Sequence, residues 1–436
     1  MTIEKQFKRK RNTESPKVYQ NSYTSRTSFV NLNTRRNPGE INRKKRNVLG
    51  MLAFAKFQVI KITKKGAVRK MDISNNDQEK KDQEFTRRNF LKFAGGTMAA
   101  LVAIPAFGQL TAHAQESGQM PVTWDGSHAV STHDPSKPNV YFTRDLSPAG
   151  VQKIYEKINQ GITGRVGIKL HTGEPHGPNL LPIEYIKNLQ SKIPRSSIVE
   201  CNVLYKSPRR ETKSHRETIK TNGFDFCPVD ILDEDGDVML PTGAKEFLNK
   251  HIDNFGGKFP FEPGVHLQEI AIGKNVRKYD SLFVYTHFKG HAMGGFGGSL
   301  KNIGIGMASG KVGKRMIHGD GCPLGKGFLE RMVESGKAIT EHFKGHITYM
   351  NVLKNISVDC DCAGASAAKP TCNDIGIIGS TDILAADQAC VDLLYQMPAD
   401  QRRDIVERME SRLGLHQLEY MEILGMGSRE YNLIEI

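Results

Sequence analysis

From residue 140 onward, short apolar runs alternate with stretches whose apolar positions recur every three or four residues. This is the pattern of strands alternating with amphipathic helices. Strands are predicted at residues 140–143, 166–170, 197–204, 265–272, 281–285, 347–353 and 375–379. Helices are predicted at 149–160, 182–189, 209–220, 324–341, 383–396 and 402–413. Residues 229–239 read as two short strands about a glycine turn. Asp230, Asp233, Glu234, Asp235 and Asp237 cluster there, but neither the spacing nor the distal glutamate of a calcium loop accompanies them. The order predicts an α/β fold, a mostly parallel or mixed sheet with flanking helices, in a single principal domain over residues 140–436.

Charge changes what precedes that domain. Residues 1–114 hold 24 Lys+Arg against 8 Asp+Glu and residues 115–436 hold 37 against 39, so the formal net charge of +14 comes from the leader. The domain itself is close to neutral, so the basic pI gives little support to nucleic-acid binding, and no nucleic-acid partner is expected. Residues 1–85 read as a basic disordered extension, of which residues 1–50 have too little apolar content to fold alone, and Met71 is an alternative start. In residues 86–114, Arg87-Arg88 precedes an apolar run, and Ala112-His113-Ala114 offers a small-x-small cleavage pattern. This segment resembles a twin-arginine signal peptide, which implies recognition by the twin-arginine translocation machinery and delivery to the periplasm or cell exterior. Gly95-Gly96, Pro105 and Gln109 interrupt the apolar run, so no permanent membrane span is expected. Residues 115–139 are polar and read as a lead-in loop.

Three constellations carry chemistry. Lys169 and His171, with His176 beyond them, follow the strand at 166–170, and polar groups at a strand end are where α/β proteins hold ligands. His287, Lys289 and His291 open a glycine-rich loop that continues through Gly294, Gly295, Gly297 and Gly298 to Lys301-Asn302. Such a loop can turn several N–H groups toward an anionic cofactor or substrate, although neither a dinucleotide nor a phosphate-loop pattern is present. Seven cysteines make a poor disulfide framework, but Cys360, Cys362 and Cys372 lie close together, and Cys322 offers a fourth thiol. Soft thiolates favour an iron–sulfur cluster or zinc. Ser380-Thr381-Asp382 reads as a helix entrance, and Asp387 within that helix needs a partner if buried.

Taken in order, VGIKLHTGE at 166–174, GGSLKNIGIG at 297–306, ISVDCDCAG at 356–364, NDIGIIGSTDILAADQACVDL at 373–393 and HQLEYMEILGMGSREYNLIEI at 416–436 resemble the iron–sulfur-associated family called domain of unknown function 362. The resemblance spans roughly residues 140–436 and falls on Lys169, Lys289, Lys301-Asn302, Asp359, Cys360, Asp361, Cys362, Asp374, Asp382 and Asp387. Many members carry an inserted ferredoxin-like unit with CxxCxxC-type spacing. Here residues 301–341 contain only Cys322, so that insert is absent.

The expectation is an exported protein that binds a metal or iron–sulfur cofactor and acts as an oxidoreductase on a small anionic molecule, with a redox partner. Lys169, His171, His287, Lys289, His291 and Lys301 are its candidate catalytic groups, and Cys360, Cys362, Cys372 and Cys322 its candidate ligands. One alternative is a non-redox small-anion-binding protein with a disulfide from Cys372 to Cys360 or Cys362. Another is a metal-dependent hydrolase or isomerase using His287, His291 and Asp320. Export is tested by replacing Arg87-Arg88 with Lys-Lys: periplasmic yield is expected to fall to background, and an unchanged yield removes the targeting assignment.

Overall fold

The computed structural model describes residues 123–260 and 264–436. The predicted extension, the signal peptide and the start of the lead-in loop lie outside the described residues. In chain order the elements are β1 (Asn139–Thr143), α1 (Pro148–Ile158), β2 (Val166–Lys169), α2 (Ile183–Gln190), β3 (Ser196–Glu200), α3 (Thr212–Thr221), β4 (Val229–Ile231), β5 (Asp237–Pro241), α4 (Ala244–Lys250), β6 (Glu269–Gly273) and β7 (Ser281–His287). There follow β8 (Lys289–His291), β9 (Gly295–Gly297), α5 (Ser299–Gly304), α6 (Gly313–His318), α7 (Lys326–His342), β10 (Ile347–Leu353), β11 (Gly376–Ser380), α8 (Ile383–Tyr395), α9 (Ala399–Ser411), α10 (His416–Ile423) and β12 (Asn432–Glu435).

Eight strands form one sheet in the order β12-β1-β11-β10-β7-β2-β3-β4. Only β11 runs against its neighbours, so the sheet is mixed but largely parallel, with helices on both faces. A strand covered on both faces reads as a continuous apolar run rather than an alternation. SLFVYTH in β7 and GIIGS in β11 are buried at every position for this reason. Leu282 and Val284 of β7 pack into the larger core with α7 and α8, while Phe283 and Tyr285 point the other way, into the core shared with α1 and α2. Within the described residues, no helix is long and apolar enough to cross a membrane.

Several expected boundaries shift for local reasons. The strand predicted at 197–204 ends at Glu200, because the Asn202 amide turns to the Asp233 carboxylate at 2.9 Å instead of a neighbouring strand. The strand predicted at 265–272 begins at Glu269, since the amides of His266 and Leu267 are taken by Glu334 at 3.0 and 2.7 Å. The two strands about the glycine turn separate: β4 forms an edge of the large sheet, whereas β5 pairs with β6. As expected, Asp382 caps α8, accepting from the Ala385 amide at 2.8 Å.

Asp387 finds its partners at the start of α5. Its two oxygens accept from the amides of Ser299 at 2.7 Å and Leu300 at 2.9 Å, and Asn351 donates to it at 2.9 Å. Gly298 makes this approach feasible, because a Cβ there would lie 2.4 Å from an Asp387 oxygen. Short α5, which carries Lys301 and Asn302, is thereby fixed to the long helix α8. Burial pushes the Asp387 carboxyl up to about 6, although these three donors oppose the rise. A folded value above the unfolded one adds stability that is complete below the unfolded value, near pH 3.8, and is lost as pH rises through about 6. The unfolding free energy of the wild type, relative to Asp387→Asn, is therefore expected to fall between about pH 4 and 7, by about 3 kcal/mol at most. Denaturant titrations across that range check it.

Candidate active site and metal centre

The site lies beyond the carboxyl ends of β2, β3, β7 and β10. After β4 the chain returns so that β7 pairs with β2 and β10 continues on the far side of β7, which makes the β2–β7 junction a point where strand order reverses. Asn302 closes that junction. Its amide donates to Lys169 O at 3.2 Å on β2 and to Tyr285 O at 3.1 Å and Thr286 Oγ1 at 2.9 Å on β7. Its oxygen accepts from Lys169 Nζ at 3.0 Å, and that ammonium also donates to Leu170 O at 2.7 Å. Asn302 is therefore a splint that aims the lysine.

Lys169 lines a cavity that opens at this junction. His171, His291, Lys301 and Asn302, all expected at the site, share the wall with Cys362. Burial pushes the Lys169 ammonium down to about 8. Burial likewise lowers His171, His291 and His318, the last to about 4, so these rings are neutral near pH 7. His171 accepts the Gly173 amide at Nδ1, 2.9 Å away, which leaves Nε2 facing the Cys360 sulfur at 3.9 Å.

His291, Cys360 and Cys362 each present a ligand atom within 4.8 Å of the others. Two thiols and an imidazole suit zinc or another thiophilic divalent ion, and three protein ligands leave a position open toward the cavity. Gly294 N–H donates to His291 Nδ1 at 2.9 Å, which in the neutral ring leaves the proton on Nε2. If this ring held a metal through Nε2, its proton would sit on Nδ1, in place of the Gly294 contact. The two thiols share one proton. A hydrogen bond from Cys362 holds Cys360 well below its ordinary value, aided by Lys301 and His171 against the cost of burial, while Cys362 is pushed up because it keeps the proton. Lys301 Nζ lies 3.2 Å from Cys360 Sγ.

The remaining expected residues fall elsewhere. His287 and Lys289 do not line the cavity; both grip Asp361, between the two cysteines. Lys289 Nζ lies 2.7 Å and His287 Nδ1 3.1 Å from the same Asp361 oxygen, while His287 Nε2 faces Lys354 O at 2.8 Å. Against the cost of burial, Lys289 and His287 hold the Asp361 carboxyl well below its usual range. Gly290 lets the strand approach, since a Cβ there would meet Val358 O at 2.3 Å.

Gly294, Gly295, Gly297 and Gly298 are also absent from the cavity wall. Gly295 has φ +78° and presses on Gly414, where a Cβ would meet a Cα at 2.8 Å, so close packing accounts for it. Cys372 and Cys322 are outside the His291–Cys360–Cys362 group among the described residues. Cys372 turns its sulfur to Ile356 O at 3.7 Å, and burial pushes its thiol up to about 11. Cys322 sits in a tight turn after α6, its amide 3.4 Å from Gly319 O. All seven cysteines are free thiols, so neither disulfide from Cys372 is present. His176 and Asp320 are exposed, away from the cavity.

Sequence reasoning missed Glu200, Arg209, Lys314 and His318, all on the wall. Glu200 ends an apolar strand, a signal that was available. Arg209 begins a charged run otherwise read as a solvated helix face, and nothing local marks Lys314 as buried.

Removing Lys289 leaves the Asp361 charge short of its closest partner. Lys289→Met is expected to destabilise the fold by about 3–5 kcal/mol. Combining it with Asp361→Asn should cost less than the sum of the two single changes. A urea double-mutant cycle measures both.

Among curated proteins there is no match to this sequence. Solved structures similar to this chain over part of their length include these two. The lactate racemase apoprotein from Thermoanaerobacterium thermosaccharolyticum is 12% identical with a TM-score of 0.33, over 62% of this chain and 60% of that one. A protein from Thermotoga maritima is 12% identical with a TM-score of 0.30, over 47% of this chain and 49% of that one. The chain thus spans less than two thirds of the length of either. The family model described as "Domain of unknown function (DUF362)" matches residues 166–392, just over half of the chain and the whole of the cavity wall. The chain belongs to that family.

Proposed function

We propose that this protein is a metal-dependent, non-redox enzyme acting on a small anionic molecule, a hydrolase or isomerase rather than an electron carrier. The observation that carries the reading is the grouping of His291, Cys360 and Cys362 within 4.8 Å on the edge of a cavity whose wall is rich in buried cations. A divalent ion held there supplies Lewis-acid polarisation of a substrate or water oxygen at its open position. Two thiols and one imidazole do not make the four-thiolate set common to iron–sulfur clusters, and Cys322 and Cys372 do not complete it.

The chain's own groups supply the rest. Lys301 donates to the Cys360 sulfur, tempering its negative charge. Lys169, which burial pushes down to about 8, is still mostly charged near pH 7 and can hold an anionic group of the substrate. His318 donates its Nδ1 proton to Lys314 O at 2.7 Å, which leaves Nε2 as the basic nitrogen of a ring that burial keeps neutral. Asn302 fixes the direction of the Lys169 amine, and the apolar stems of the wall residues exclude water around it.

The twin-arginine pattern of residues 86–114 supports export of the folded, loaded protein to the periplasm or cell exterior. The test of the metal reading is elemental analysis with acid-labile sulfide determination on natively purified protein. About one zinc or similar divalent ion per chain is expected, without sulfide, lost in His291→Ala and in the Cys360→Ala, Cys362→Ala double variant while circular dichroism is retained. Stoichiometric iron with sulfide would return the redox reading, and a metal-free protein would end the metal-dependent one.

A further inference from the structure

One end of the cavity is more cationic than a protein interior normally tolerates. Lys169, Arg209 and Lys314 all line it, and Glu200 is the only carboxylate among the lining residues. That carboxylate is already engaged, accepting from the Thr172 amide at 2.5 Å, Thr172 Oγ1 at 3.0 Å and Arg209 Nη2 at 2.7 Å. Lys314 Nζ donates to Ala308 O at 2.5 Å, and Lys169 meets only the neutral oxygens of Leu170 and Asn302. Among the described residues, neither ammonium has a carboxylate within ion-pair distance.

Arg209 adds a second, independent sign. Its side chain is 3% exposed, yet among the described residues Nη1 has no hydrogen-bond partner; Glu174 Oε1 lies 4.0 Å from it, and the buried Glu174 Oε2 is likewise without a hydrogen-bond partner. Nε donates to His215 at 3.2 Å and Nη2 to Glu200 at 2.7 Å, so the guanidinium fork is held in place while both N–H groups of Nη1 stay without an acceptor among the described residues. Behind Lys314, Asp233 lends longer-range compensation, but its two oxygens accept the amides of Asn202 and Gly310 at 2.9 and 2.8 Å. The neighbouring rings of His171 and His318 are neutral.

Buried ammonium groups without counter-charges are costly, and an unused guanidinium N–H adds to that cost. Both lysines are pushed down chiefly by burial, with Arg209 opposing protonation of each. Such a wall is stabilised by a ligand that brings two negative charges and several acceptor oxygens to one place. A monocarboxylate supplies one charge and two oxygens and leaves an ammonium uncompensated. A tetrahedral dianion supplies both charges and three outward oxygens, one for each lysine and one for the guanidinium.

We propose that Lys169, Arg209 and Lys314 form a subsite for a doubly charged oxyanion group of the substrate, a phosphoryl or phosphonate group, with the remainder of the molecule extending toward His291 and Cys362. This inference rests on the anionic substrate of the proposed function and gives it a chemical class.

Isothermal titration of the full-length chain with inorganic phosphate at pH 7.5, beside acetate and malonate, tests it. Phosphate is expected to bind at least tenfold tighter than either comparator. Lys314→Met and Arg209→Lys should each weaken it at least tenfold, with thermal unfolding as the control for folding. Lys314→Met removes a poorly compensated buried charge, so it is expected to stay folded even where the Arg209 variant does not. Repeating the titration at pH 8.5, where inorganic phosphate is almost wholly dianionic, in buffers of different ionisation enthalpy should show proton uptake, because the dianion restores Lys169 to its charged form. Acetate equal to phosphate, malonate tighter than phosphate, or phosphate binding unchanged in folded Lys314→Met would each overturn the proposal. Metal content measured on the same samples separates the two readings. Phosphate binding by a metal-free protein keeps this subsite and removes the metal enzyme, whereas bound metal without phosphate binding does the reverse.

Discussion

The buried pair of Lys289 and Asp361, 2.7 Å apart, is the contact on which the site's geometry depends. Asp361 stands between the two cysteines, in a segment outside the sheet, and Lys289 stands on β8 just past the end of β7. Their attraction ties the segment between the cysteines to β8, a strand buried at every position. A pair taken out of water in this way gains little net stability, but breaking it strands a charge. The turn therefore has one arrangement in which Asp361 is satisfied, and that arrangement brings Cys360 and Cys362 beside His291.

A second anchor works on the opposite wall. Asp387 holds the first amides of α5, and Asn302 on that helix bridges β2 to β7 while orienting Lys169. The two anchors share no residue, yet each fixes its part of the cavity by satisfying a buried polar group that has few other options. The consequence is a rigid rim, with the His291–Cys360–Cys362 group on one side and buried cations on the other, at the point where α/β sheets place their ligands. His287 and Lys289, expected to do chemistry, serve the geometry instead: their polar atoms are taken by Asp361 and Lys354 O and do not line the cavity.

The elements around this rim differ in how far they could be read from the chain. β7, β10, β11, α7 and α8 are long or strongly apolar, so their periodicity survives local exceptions, and β10 falls on the predicted residues. Short α5 escaped because glycines flank it and its stability comes from Asp387, 88 residues from Ser299. The hairpin of β8 and β9 escaped as well, since three-residue strands carry almost no pattern. Among site residues, Lys169, His171, His291, Lys301, Cys360 and Cys362 stood out as polar or thiol groups at strand ends and in loops. Arg209 and Lys314 did not, because a buried cation and a solvated one are written with the same letter.

By itself the sequence determined the α/β class, the family, the near-neutral charge of the folded domain and the cysteine pair, because periodicity, composition and close spacing are local properties of the chain. Tertiary structure alone decided that His291, not Cys372 or Cys322, completes the thiol group, that the glycines serve close packing, and that an arginine and a lysine far apart in sequence share one wall with Lys169. Those outcomes turn on burial and on distances between remote segments, which the fold sets when it satisfies Asp361, Asp387 and Asn302 together.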